Sequence, residues 1–393
     1  MKIALFSGAG TVPCAASTYV SVLKSGLEKA GHSVMVVAAD PEIEVCFPQR
    51  DAIYCPARPT PSLYGCSVRT SLLGPMEEAL ANFRPALIHV VTLDEMGLAG
   101  VKFAQSHRLP LVTTIHNLHD ALEGYGLNKA YDSLAKMKVR STIRKILSES
   151  DVICAPSGKT AGLLREIDVR CKLRRSPFCV DLETFVPQDE PPLQVLDELE
   201  VPAGVTSYIF AGRLLDDCGV GDLLDAWHAA VARTDNLHLI IAGSGPNAAI
   251  YAEQAKALHL TEQITFAGEV SKQKLNDLFA CCRAFVSASR SGAIKAAPLE
   301  AMAAGLPVLL HAESANAELV RDGVNGFVFQ DAAKFGDTLR MLAKLDPEGE
   351  ILLHELVRKS AANLSDVNLA AVMLDTYELA KQRQKSRIYA NTK

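Results

Sequence analysis

Glu300 lies in AAPLEAMAAG (residues 296–305), an otherwise apolar stretch that predicts a short helix. Pro298 is tolerated in the first turn of such a helix, and Gly305 and Pro307 mark its far end. The loop before it, SRSGAIK (residues 289–295), then occupies a helix amino terminus, where unpaired N–H groups and the helix dipole favour an anion. Glu300, one turn in, either accepts hydrogen bonds from a ribose diol or is an exposed surface carboxylate. Upstream, Arg213 follows one apolar run, and IIAGSGP puts Gly243 and Gly245 in the turn after the next. That turn either lets backbone N–H groups approach a phosphate or is simply tight.

Other chemistry-bearing residues are dispersed. His116 and His119 are the only closely spaced histidines, and no carboxylate pattern joins them, so no metal site is expected. The 10 cysteines form no C-x-x-C pair. They read as free thiols in a reducing cytoplasm. The segment 129–147 carries Lys129, Lys136, Lys138, Arg140, Arg144 and Lys145 against Asp132, with Leu134, Met137, Ile143 and Ile146 as apolar positions. A basic amphipathic helix of this kind can lie on an anionic membrane surface, or its apolar side can pack on its own domain.

The elements that must position these residues alternate. KIALFS, bounded by GAG, reads as a buried parallel strand, followed by Val20, Leu23 and Leu27 at helical spacing and by Gly31 past the helix end. Runs at 33–39, 86–92, 110–116 and 151–157 continue the series. Periodicity fails and prolines accumulate over 174–192, which marks a domain boundary. Strand-like runs resume at 207–212, 237–245, 263–268, 284–289 and 307–311. The pattern predicts an α/β protein of two Rossmann-like doubly wound domains facing across a cleft. An amphipathic segment at 369–385 predicts a last helix.

Composition agrees. A chain of 393 residues suits two domains, and 49% hydrophobic with 22% charged residues describes a well-buried globular protein. The net charge of −5 gives no reason to expect nucleic-acid binding. No apolar run approaches the roughly 18–20 residues needed to cross a bilayer. The apolar amino terminus is too short for a signal peptide.

The stretch 289–329, with FAGRLLDDCGVGDLLDAW (210–227), IIAGSGP and VDLETFVP (180–187), resembles the retaining nucleotide-sugar glycosyltransferases of GT-B architecture, the group 1 or family 4 type. LIHVVT, TTIHN and VICAPS fall where that family has comparable segments. The resemblance implies an acceptor-side domain at 1–180, rejoined by a crossing helix at 375–393, and a nucleotide-sugar domain at 181–374. It implies a UDP- or GDP-linked sugar donor, no cofactor and no metal, and a lipid, glycan or small-molecule hydroxyl as acceptor. It also implies a cytoplasmic protein, with segment 129–147 as a candidate contact to the inner face of the membrane.

Carried over position by position, Gly8 and Gly10 face the donor phosphates and His116 sits beside the transferred sugar. Arg213 binds the diphosphate, Glu300 holds the ribose, and Glu318 is a further donor-site position. The sequence departs from the family where Cys218 replaces a lysine, Gly292 a glutamate and Lys295 a loop glycine. The Lys295 ammonium can restore the charge absent at Cys218. These departures leave a catalytically weakened or inactive partner subunit as the alternative function. An NAD-dependent dehydrogenase would need a G-x-G-x-x-G after a first strand, which SGAGTV lacks.

Overall fold

All ten apolar runs read as strands form strands, and the computed structural model adds five that the runs did not announce. It describes residues 1–10, 14–59, 66–68, 73–116, 118, 132–166, 171–232 and 235–391. One compact unit comprises Met1–Cys179, Gly292–Ile294 and Leu364–Lys393; the other comprises Val180–Ser291 and Lys295–Asn363.

The first unit holds strands β1 (Lys2–Ser7), β2 (Ser33–Asp40), β3 (Phe47–Pro48), β4 (Ala52–Pro59), β5 (Cys66–Val68), β6 (Leu87–Val90), β7 (Leu111–Thr114), β8 (Val152–Ala155) and β9 (Lys172–Arg175). Their order is β3-β4-β2-β1-β6-β7-β8-β9, with β5 beside β4. Pairing is parallel from β4 through to β9, and only β3 and β5 run antiparallel to β4. Residues on both faces of the central strands are buried, as a parallel sheet between helical layers requires.

The last helix, Asp366–Asn391, belongs to this unit. Its return begins at Leu364, ahead of the 375 expected from the sequence. It crosses the helix Ala15–Lys29 so closely that a Cβ on Gly26 would lie 2.1 Å from the Asp366 carbonyl oxygen. Leu369, Met373 and Tyr377 are buried against Tyr19, Leu23 and Leu27. Asp366 accepts from Lys29 at 2.8 Å and from Ser25 at 2.7 Å.

The second unit has strands β10 (Thr206–Ala211), β11 (Leu237–Ala242), β12 (Ile264–Gly268), β13 (Ala284–Ser287), β14 (Val308–His311) and β15 (Gly326–Phe329), all parallel. The order β12-β11-β10-β13-β14-β15 reverses direction between β10 and β13. Doubly wound sheets bind ligands at that switch point, outside the carboxyl ends of the strands. Trp227, Tyr208, Phe285 and Phe335 fill this core.

Candidate active site

In the second unit, the two strands flanking the switch point deliver most of the expected donor-site residues. β10 ends at Ala211 and leads through Gly212 to Arg213, which is exposed. β13 leads into the loop 288–296 and then the helix Ala297–Ala303, with Pro298 in its first turn. The two loops are joined. The Ser289 hydroxyl donates to the Asp217 carbonyl at 2.8 Å. Gly219, with φ +68°, packs where a Cβ would lie 2.5 Å from the Ser289 nitrogen. The Lys295 ammonium forms an ion pair with the Asp217 carboxylate. Asn316 holds the Lys295 backbone on both sides, accepting from its N–H and donating to its carbonyl, each at 2.9 Å.

Lys295 therefore reaches the residue next to Cys218, and Cys218 itself is buried in the 3-10 turn Asp216–Cys218. Ion pairing to Asp217 qualifies the expectation that Lys295 offers an uncommitted charge. A ligand phosphate at this spot must compete with the Asp217 carboxylate for the ammonium.

Glu300 is 8% exposed, so it is no surface glutamate. Burial pushes its carboxyl up to about 7, opposed by Lys272 and reinforced by the charge of Asp181. A carboxyl with that value exchanges its proton near neutrality. Glu318 is exposed in the 3-10 turn Ala315–Leu319.

The glycines Gly243 and Gly245 have a backbone explanation. A Cβ on Gly243, with φ +142°, would lie 1.9 Å from the Gly212 carbonyl oxygen, and one on Gly245 would lie 2.5 Å from that of Leu214. The turn after β11 is glycine-rich because it crosses the strand end that carries Arg213. That crossing requires no ligand.

In the first unit, Gly8 follows β1 and donates its N–H to the Thr92 hydroxyl at 2.6 Å. Gly10 has φ +54°, and a Cβ there would lie 1.8 Å from the Ala39 carbonyl oxygen. His116 follows β7 and is 7% exposed. Burial lowers its imidazole to about 4, so it is neutral at pH 7. The ring of Tyr19 meets it edge-on at 4.7 Å. Behind it runs a buried chain in which Tyr19 and Thr114 hydroxyls are 3.3 Å apart, and His89 bridges Thr114 and Tyr377, each at 2.8 Å.

The sequence reading missed Asp217, Asn316, Tyr19, His89 and Asp94. Asp94 alone carried a legible signal, an aspartate at the start of an amphipathic helix, and it caps Glu95–Ser106. His119 and Lys129 lie outside the described residues, as do the side chains of Leu134, Lys136 and Lys138. In the helix Asp132–Glu149, Ile143 and Ile146 are buried in the unit's own core, while Met137 is 65% exposed. The apolar positions proposed for a lipid face are thus partly consumed by packing. No described helix is long and apolar enough to cross a membrane.

Known proteins match along most of the chain. Residues 16–184 match the family model described as Glycosyltransferase Family 4, and residues 206–344 match the model described as Glycosyl transferases group 1. The chain is 23% identical to an alpha-monoglucosyldiacylglycerol synthase of Streptococcus pneumoniae, over 88% of this chain and 79% of that protein. It is 24% identical to the synthase of the same name from Acholeplasma laidlawii, over 84% of this chain and 85% of that protein. Its structure is similar to sucrose-phosphate synthase of Thermosynechococcus elongatus, with a TM-score of 0.72 and 22% identity over 97% of this chain and 98% of that one. It is also similar to Anabaena HepE in complex with UDP-glucose, with a TM-score of 0.73 and 16% identity over 96% of this chain and 99% of that one.

Proposed function

The chain belongs to the group 1, family 4 glycosyltransferases with two α/β domains of GT-B type, and from that premise we propose that it is a retaining hexosyltransferase. It moves a hexose from a UDP- or GDP-linked donor to a hydroxyl of a lipid, glycan or small molecule. The observation that carries this reading is that Arg213 follows β10 while Lys295 and the buried Glu300 follow β13, the two strands that flank the switch point of the second sheet. The two cations and the loop of N–H groups suit a diphosphate, and the buried carboxyl on the helix that follows suits a ribose diol.

In the reaction, the bond between the anomeric carbon and the diphosphate oxygen breaks. The acceptor oxygen bonds to the same carbon from the same face and passes its proton to the departing phosphate. Negative charge grows on the diphosphate, so stabilising it is the protein's main task. Arg213 and the loop after β13 supply that field, with Lys295 exchanging Asp217 for phosphate. Neutral His116 offers a hydrogen bond to the transferred sugar. The reading calls for no cofactor and no metal, because these groups carry the positive charge.

Two relatives are named as alpha-monoglucosyldiacylglycerol synthases, which makes diacylglycerol the first acceptor to test. We place the protein in the cytoplasm, in peripheral contact with the inner membrane face through the exposed Arg140, Arg144, Lys145 and Met137 of the helix Asp132–Glu149. Vesicle co-sedimentation that ignores anionic lipid content would remove that contact. The second reading, a weakened or inactive subunit, is favoured by Cys218 and Gly292 and by the carboxylate already on Lys295.

Calorimetric titration with UDP, GDP and ADP separates the two. The transferase reading expects one of them to bind and Arg213→Ala to lose that binding. A protein that binds none is the partner subunit.

A further inference from the structure

Two polar atoms at one edge of the first sheet are left over. Asp94 Oδ2 and His116 Nε2 are both buried, and among the described residues neither has a hydrogen-bond partner. Chain topology puts them after the carboxyl ends of neighbouring strands. β1, β6 and β7 are adjacent and parallel, and Gly8, Asp94 and His116 follow their respective carboxyl ends. Strand order also reverses between β1 and β6, which makes this edge the switch point of its sheet.

The Asp94 side chain is held in one orientation. Its Oδ1 accepts from the Gly97 N–H and from the Thr92 hydroxyl, each at 3.0 Å. Those bonds leave Oδ2 buried against Gly8 without a geometric hydrogen-bond donor among the described residues. Burial raises the carboxyl to about 6, so it is mostly ionised at neutral pH despite the loss of water. A buried carboxylate oxygen without a donor is costly, and native structures retain one where something else supplies the hydrogen bond.

Gly8 fits the same picture. A Cβ at Gly8 would lie 1.8 Å from Asp94 Oδ2, so the glycine makes room for the carboxylate. A carboxylate against this loop repels phosphate and attracts O–H groups. A hydroxyl-rich ligand suits it.

We propose that Asp94 is a substrate-binding residue, whose Oδ2 accepts a hydrogen bond from a hydroxyl of the transferred hexose beside His116 Nε2. The inference rests on the hexosyltransferase reading.

The test titrates wild type, Asp94→Asn and Arg213→Ala with UDP, GDP, UDP-glucose, UDP-galactose and GDP-mannose. Asparagine keeps the helix cap and the fit against Gly8, and Asp94→Ser, also a capping residue, serves as a second variant. Both variants should bind the free nucleoside diphosphate like wild type. Their affinity for the preferred sugar nucleotide, relative to its nucleotide, should fall about ten- to hundred-fold, as for loss of a charge-assisted hydrogen bond. A ratio unchanged for all three sugar nucleotides, with Arg213→Ala still abolishing binding, overturns the assignment of Asp94 alone. A wild type that binds no nucleotide at all overturns the transferase reading, and Asp94 with it.

Discussion

Lys295, Asp217 and Cys218 decide how the donor site works at the scale of single residues. A lysine beside an aspartate binds a diphosphate only by leaving that aspartate. Lys295→Met is expected to weaken nucleoside diphosphate binding by about 1.5–3 kcal/mol, roughly ten- to hundred-fold. Asp217→Asn is expected to strengthen it, because the ammonium is released; titration of both variants reads the two signs. Glu300 adds a pH dependence. Its folded-state value, about 7, lies above its unfolded value, so folding favours the protonated form. Its ionisation therefore removes stability as pH rises from about 4.5 to about 7, and below that window no penalty remains. Thermal unfolding should show Glu300→Gln gaining on wild type between pH 5 and pH 8. Equal pH profiles would mean that the carboxyl is not desolvated.

At the scale of elements, the two units solve the same problem with different devices. The second unit lets three chain segments approach backbone to backbone at Gly212, Gly219 and Gly243, all at positive φ. That geometry fixes the loops carrying Arg213 and Lys295 without large side chains. The first unit instead uses the last helix as part of its core. Tyr377 reaches His89, which is fully buried and pushed down to about 3 by desolvation. Tyr377→Phe leaves the His89 nitrogen without its partner and should cost about 1–3 kcal/mol in denaturant unfolding. Gly26→Ala should destabilise by a similar amount, about 1–3 kcal/mol, because its methyl meets the Asp366 carbonyl rather than a flexible side chain. A variant as stable as wild type would show that the two helices slide apart freely.

For the whole molecule, each unit has its own core and its own switch point, and the first is completed only by the end of the chain. A protein ending at Asn363 should lose the cooperative unfolding of the first unit and keep nucleoside diphosphate binding in the second. Calorimetry with and without the nucleotide reads both. Loss of nucleotide binding in that shortened chain would place part of the diphosphate site outside Val180–Asn363.

The sequence by itself determined the strand–helix alternation, because period and run length are local properties of the chain. The same holds for the boundary near residue 180, and for Arg213 and Glu300 as candidates, since each sits beside a strand end or helix start that can be read nearby. The missed strands show where local signals stop. KLRR at β9 is polar and becomes a strand only by pairing with β8, and the two-residue β3 exists only against β4. Tertiary structure alone decided that Glu300 is buried and that Ile143 and Ile146 face a core. It alone brought Asp217 to Lys295 and Asp94 beside Gly8 at the edge that His116 shares. Those pairings join residues tens of positions apart through sheet order, which no local pattern encodes.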